Sequence, residues 1–226
     1  MYQSWSHISF LHWRYPADDI QLLLPRGLQV ELFDSDAWLG VTPFLVEHFR
    51  LRLLPPIPWL SRFPETNVRT YVKGPNGEPG IWFFSLEASP RLAVIGGRSL
   101  YGLPYRRANM SVERDNQTTT YGSQRATASR RAVVNLVVRP GRRIQPGELE
   151  IFLTARFRLY SVRAGRLWFA DVEHKPWPLR EARISFLQQN LVQSLSIGEP
   201  RGAPLIHYSS GVHTKISRAS LVDLDA

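Results

Sequence analysis

Proline and glycine interrupt this chain at short intervals, 17 and 15 times in 226 residues. Much of what lies between them alternates apolar and polar side chains. Proline removes a backbone donor and fixes φ, and glycine frees the chain to turn. Alternation with period two marks a half-buried strand. The pattern predicts a mainly β (α+β) protein, mostly antiparallel, with two or three short helices.

The segments "DAWLGVTPFLVEHFRLRLL", "TNVRTYV" and "GIWFFSLEA" read as strands, the last two joined by the turn "KGPNGEPG". "RLAVIGGRSLYG" reads as a strand whose paired glycines suggest a bulge or a close backbone approach. "NMSVERDNQTTTYGSQRA" reads as a hairpin about an Asp-Asn turn. "RRAVVNLVVRP", "LEIFLTARFRLYSV" and "RLWFADVEHKPW" continue the strand pattern, and "PLIHYSSGVHTKIS" is a last strand or hairpin. "LLPPIPWLSRFPE" is a proline-rich loop. "PADDIQLLLP" reads as a short helix with Asp18 and Asp19 in its first turn, where they complement the dipole. The longest helix is expected within residues 179–198, where Ile184, Leu187, Leu191 and Leu195 share a helical face and Gly198 follows as a stop.

Composition narrows the function classes. Hydrophobic residues make up 43% of the chain, ordinary for a globular protein, and one domain over residues 1–226 is expected. No apolar run approaches the roughly 18 residues of a membrane span. "MYQSWSHISFLHW" lacks the basic and apolar regions of a signal peptide, so no membrane partner and a cytoplasmic location are expected. Without cysteine there are no disulfides, thiolate metal sites or cysteine nucleophiles. The net charge is +9, and arginine supplies 25 of the 28 basic residues. They are scattered, with no basic tail or stripe, so no specific nucleic-acid partner is expected. A homo-oligomer is left open.

Three stretches carry candidate chemistry. In an extended "ETNVRTYV", Glu65, Asn67, Arg69 and Tyr71 share one face. That face is either a solvated Glu–Arg surface or the wall of a polar pocket in which arginine holds a carboxylate or phosphate. In "VEHKPWPL", His174 is a candidate base and Trp177 a shield from water, although a lone histidine is more often only hydrogen-bonded. The other histidines form no HxH or HExxH pattern, and His207 and His213 meet only if the last strand is a hairpin. No metal site, cofactor fingerprint, GxSxG or Walker motif is present. The third stretch is the corner "GRSLYGLPYRRANM", residues 97 to 110.

Several blocks, among them "HISFLHWRYPADDIQLLLPRGLQVELFDSDAWLGVTPF", "PETNVRTYV", "GLPYRRANM", "LTARFRLY" and "VEHKPWPLREA", occur in an order that resembles the YqjF-like family of uncharacterised conserved bacterial proteins. The match runs from about residue 5 to residue 215. That family is similar in turn to the acetoacetate decarboxylase-like superfamily. The resemblance implies a strongly curved antiparallel β-sheet or barrel around a central cavity.

The decarboxylases carry a motif close to Gly-Arg-Glu-hydrophobic-Tyr-Gly-aromatic-Pro-Lys-Lys and a pocket glutamate on an earlier strand. Here the motif reads Gly97-Arg98-Ser99-Leu100-Tyr101-Gly102-Leu103-Pro104-Tyr105-Arg106, and Glu65 matches the glutamate. The resemblance places Tyr105 where the imine-forming lysine stands, with Arg106 as the neighbouring cation. A phenol forms no imine with a ketone. Schiff-base decarboxylation is therefore not expected, unless Lys175 reaches the cavity.

These readings converge on a cavity walled by Glu65, Asn67, Arg69, Arg98 and Tyr105, with Tyr71, Arg106 and His174 as further ligand-binding candidates. Its leading occupant is a small anionic metabolite such as a carboxylate, held by a binding protein or sensor without cofactor. The alternative is an enzyme of lyase or hydratase type with Tyr105 or Glu65 as acid/base. The third reading is a structural or interaction protein with a filled cavity. A buried Glu65 of raised pKa beside an open cavity favours the enzyme.

Overall fold

A computed structural model describes residues 1–50, 61–126 and 131–223. In chain order its elements are β1 (Tyr2–Tyr15), α1 (Ala17–Gln21), β2 (Gln29–Val30), β3 (Ala37–Arg50), β4 (Phe63–Lys73), β5 (Pro79–Ala88), α2 (Arg91–Tyr101), β6 (Tyr105–Arg107), β7 (Asn109–Arg114), β8 (Thr119–Ala126) and β9 (Arg131–Arg143). There follow α3 (Glu148–Thr154), β10 (Arg158–Arg163), β11 (Arg166–His174), β12 (Leu179–Gln189), a 3-10 turn at Gln193–Leu195, β13 (Leu205–Ile216) and β14 (Ser220–Leu221). Of the proline-rich loop "LLPPIPWLSRFPE", residues 53–60 lie outside the described residues, and its last three residues open β4.

The strands neighbour one another in the order β11-β10-β5-β4-β3-β1-β13, and β13 pairs back onto β11. Seven strands thus close a ring, which removes edge strands from the barrel. From β13 the sheet continues outward through β12, β9, β8 and β7. This wing packs across the barrel: Leu11, Leu39, Val41 and Val68 of the ring share one apolar cluster with Tyr121, Val134, Leu136 and Val138 of the wing. The sheet is mostly antiparallel, but β5 pairs in parallel with both β10 and β6. The fold is mainly β and curved around a cavity. Among the described residues no helix is long and apolar enough to cross a membrane.

Several expected elements take another form. Residues 179–198 hold no helix; β12 runs over Leu179–Gln189, and the 3-10 turn follows. A register shift against β9 between Ile184 and Phe186 explains the misleading period. The extra residue at a bulge lets Ile184 and Leu187, three apart, both face the core, and so imitates helical spacing.

"RLAVIGGRSLY" is a helix, α2, and not a strand. It ends on Gly102 at φ 66, where Gly102 N–H donates to Arg98 O and Leu103 N–H to Gly97 O. This left-handed glycine stop satisfies carbonyls that the last turn leaves open. The start of "LEIFLTARFRLYSV" is α3, opened by Gly147, whose N–H donates to the Glu150 carboxylate at 2.8 Å. The strand of that segment begins only at Arg158. The last segment is one strand, β13, so His207 and His213 do not meet in a hairpin. His207 faces Glu150 at 3.5 Å and His213 faces Ser4 at 2.7 Å.

Candidate functional site

Strand alternation turns one residue in two toward the inside of the ring, and all seven barrel strands line a common cavity there. Its wall is largely apolar, with Trp5, Phe44, Phe83, Leu86 and Trp177 among the contributors. About 70 Å³ is open to the centres of water-sized molecules. That is room for on the order of five waters, or for one small organic acid of similar atom count.

On β4 the expected alternation holds: Glu65, Asn67 and Arg69 all line the cavity. The irregularity against β5 between Val68 and Arg69 falls where Ser85 and Phe83 are the successive partners, so the extra residue is Phe84 of β5. The face of β4 stays intact.

Glu65 is 6% exposed and accepts a 2.8 Å hydrogen bond at Oε2 from the Tyr105 hydroxyl. Burial raises its pKa to about 7, and the Tyr105 hydrogen bond partly opposes that rise. Tyr105 moves well above the usual phenol value, through burial first and the Glu65 charge second, so it remains a proton donor. Tyr105 is placed by α2. A Cβ built on Gly97 would fall on its ring, so the close approach foreseen for the paired glycines occurs, within a helix.

Arg69 is 7% exposed, and its Nη2 donates to Leu153 O at 3.4 Å. Its guanidinium lies over the rings of Phe10 and Tyr71. Nε has no hydrogen-bond partner, and no carboxylate lies within ion-pair distance among the described residues. The Glu65–Arg69 pair that the sequence suggested does not form. Asn67 sits between them with its buried Oδ1 unpaired.

The end of α3 closes this side. The last carbonyls of a helix lack internal partners, and here Leu153 O accepts from Tyr71 Oη at 2.7 Å while Thr154 O accepts from Trp177 Nε1 at 3.0 Å. Tyr71 also contacts His12 Nε2 at 2.7 Å. Because the phenol proton goes to Leu153, the histidine is the donor in that contact. Tyr71 is wholly buried behind the wall and does not line the cavity.

Arg156 escaped the sequence reading. It follows α3, lines the cavity, pairs with Glu31 at 3.0 Å and lies over the Phe152 ring. Its only signal was membership of the block "LTARFRLY". Arg158 also faces inward, but it is engaged by Glu78 at 2.6 Å and Asp171 at 2.8 Å. His174 lines the cavity among Trp5, Phe157 and Trp177. Its Nδ1 lies 2.7 Å from Lys175 O, and burial lowers its pKa.

Arg98 and Arg106 do not reach the cavity. Arg98 is exposed, and its Nε donates to Tyr105 O at 2.7 Å from the outer side of the corner. Arg106 and Arg107 are both exposed because β6 runs along the rim of β5. Lys175 stays outside, as do Lys73 and Lys215.

Comparison with known proteins gives the family and the fold. The uncharacterized protein YqjF of Bacillus subtilis (strain 168) is 35% identical over 212 residues, covering 92% of this chain and 87% of that protein. The solved structure of the enduracididine biosynthesis enzyme MppR complexed with pyruvate is similar with a TM-score of 0.71 at 13% identity, over all of this chain and 91% of MppR. Acetoacetate decarboxylase from Legionella pneumophila is similar with a TM-score of 0.64 at 14% identity, over 98% of this chain and 87% of that one. The fold is therefore acetoacetate decarboxylase-like. Matching over residues 2–213, the chain belongs to the DUF2071 family of uncharacterized conserved proteins.

Proposed function

We propose that this protein is an enzyme that moves a proton on a small oxo monocarboxylate, with Glu65 as acid/base and without an imine. The observation that carries the reading is the pair of unmet demands on one wall. A buried arginine without a carboxylate calls for an anion, and a buried glutamate with a pKa near neutrality is suited to general acid/base work.

Charge bookkeeping limits the ligand. Arg156 is paired with Glu31, and Arg158 with Glu78 and Asp171. Among the described residues, that leaves Arg69 as the arginine of the cavity wall without an ion pair, which suits one carboxylate. With the acid held at Arg69, the chain of the ligand extends along β4 past Asn67 toward Glu65. Tyr105 holds Oε2, leaving Oε1 for the substrate.

Glu65 as carboxylate takes a proton from the carbon beside the carbonyl. The C–H electron pair moves into the new C=C bond, and the carbonyl pair moves onto oxygen. The Asn67 amide hydrogen-bonds that oxygen as its charge grows. Return of the proton from Glu65 completes the cycle. This is the first half of a lyase, hydratase or isomerase reaction. The similarity to MppR, solved with pyruvate, supports the size and class of the ligand.

Proton exchange tests the reading. Pyruvate, 2-oxobutyrate and acetoacetate are incubated in D2O, and deuterium uptake beside the carbonyl is followed by NMR. The protein is expected to accelerate exchange for at least one of them, and Glu65→Gln to lower the rate about 100-fold or more. No acceleration with any of the three overturns the enzyme reading. Arg69-dependent thermal stabilisation without exchange would mark a binding protein instead.

A further inference from the structure

A second polar site lies where the wing meets β1 and β13 of the barrel, sharing no lining residue with the barrel cavity. It is a groove of about 400 Å³ beside the β7–β8 turn, bordered by Arg114, Arg139, Arg180, His7 and Thr118. We propose that it binds the phosphate groups of a small polyphosphate-bearing ligand.

Three independent features point there. The first is unbalanced charge. None of the three arginines forms an ion pair among the described residues. The one carboxylate of the groove, Asp115, is held by its own turn, and its charge offsets only part of the three arginines'. It accepts from Gln117 N–H at 2.7 Å, Thr118 N–H at 2.6 Å and Thr118 Oγ1 at 2.8 Å.

The second feature is register. Strands β9 and β12 set Arg139 directly opposite Arg183 and Arg143 directly opposite Arg180. Like charges facing each other across strands repel; one arginine of each pair borders the groove, so an anion bound there would offset part of that cost.

The third feature is backbone conformation. His7 has φ 48, where a non-glycine residue is strained. It falls within the register shift of β1 against β3 between Ser6 and Leu11. Bulges of this kind re-aim side chains, and strain gathers at ligand sites. His7 Nδ1 lies 2.9 Å from Tyr208 Oη, which holds the ring at the groove.

Guanidinium groups match phosphate oxygens in pairs. In an open groove a single carboxylate would be held weakly because exposed pairs are screened, so several charges on one ligand fit best. The groove is short, and its one aromatic, Tyr208, is buried. It lacks the stacking faces and extended basic track of a single-strand binder.

The test titrates the intact protein with tripolyphosphate, ATP and adenosine by calorimetry at fixed ionic strength. One saturable site for tripolyphosphate and ATP, and none for adenosine, is expected. A tighter ATP site would identify a nucleotide as the source of the phosphates; equal affinities would identify the phosphate chain alone. The double variant Arg114→Gln/Arg139→Gln should weaken tripolyphosphate at least tenfold. Arg139→Gln alone should melt no lower than the parent protein, since it removes a charge facing Arg183. Absence of saturable binding, or equal affinity in the double variant, overturns the proposal. So does a random oligonucleotide binding more tightly than tripolyphosphate.

Discussion

The Tyr105 hydroxyl donates to Glu65 Oε2 at 2.8 Å across a sequence separation of 40 residues. One partner lies on a barrel strand. The other follows a glycine-stopped helix. The contact makes the glutamate a directed group, because one oxygen is held while the residue lines the cavity. Burial also keeps its proton affinity high.

The first prediction concerns pH. The folded pKa of Glu65, about 7, exceeds the ordinary 4.5. The native state therefore keeps a proton that the unfolded chain releases. Below about pH 4.5 this linkage costs nothing, and stability falls as pH rises toward 7. The loss is on the order of 3 kcal/mol. Glu65→Gln, which carries no charge, should lack this limb. Urea melts at pH 5 and pH 8 should show the parent protein losing more stability than the variant. Equal losses would contradict a raised Glu65.

Tyr105→Phe removes the one hydrogen bond that lowers the Glu65 pKa. Stability should fall by at most about 1–2 kcal/mol. The midpoint of any pH–rate profile governed by Glu65 should move upward. An unchanged midpoint and unchanged oxo-acid affinity would remove Tyr105 from the site.

The paired glycines of α2 should behave oppositely. A Cβ on Gly96 meets nothing within 4 Å, whereas one on Gly97 would fall on Tyr105. Gly96→Ala should stabilise the protein by up to about 1 kcal/mol through helix propensity. Gly97→Ala should push Tyr105 away from Glu65 and impair exchange. Melting curves and the D2O assay on the two variants check this contrast.

Arg69→Met replaces an uncompensated buried cation by an apolar side chain of similar length. Stability should change by less than about 1 kcal/mol, because the lost desolvation cost offsets the lost Leu153 contact. Stabilisation by pyruvate should vanish in the same variant. A thermal shift that survives the substitution would place the carboxylate elsewhere.

Borohydride trapping with acetoacetate should give no lysine adduct. All three lysines are exposed and outside the cavity. Intact mass followed by peptide mapping reads the result, and an adduct on Lys175 would mean that the "EHKPW" segment turns inward.

The strand-rich character, the hairpin at Asp115-Asn116 and the common face of Glu65, Asn67 and Arg69 followed from the chain alone, because alternation and turn residues act over a few neighbours. Tyr105 opposite Glu65 was legible only through the decarboxylase-like motif, since nothing local links residues 40 apart. Tertiary structure decided the rest. Residues 91–101 became a helix although their paired glycines suggested a bulged strand, and 179–189 a strand although their apolar spacing suggested a helix. A bulge at Ile184 displaced the period, and pairing with β9 and β13 supplied the hydrogen bonds of β12. Arg156 and the carbonyls of Leu153 and Thr154 joined the site for the same reason. Closing a seven-stranded ring brings distant segments around one cavity, and local sequence carries no record of which segments those are.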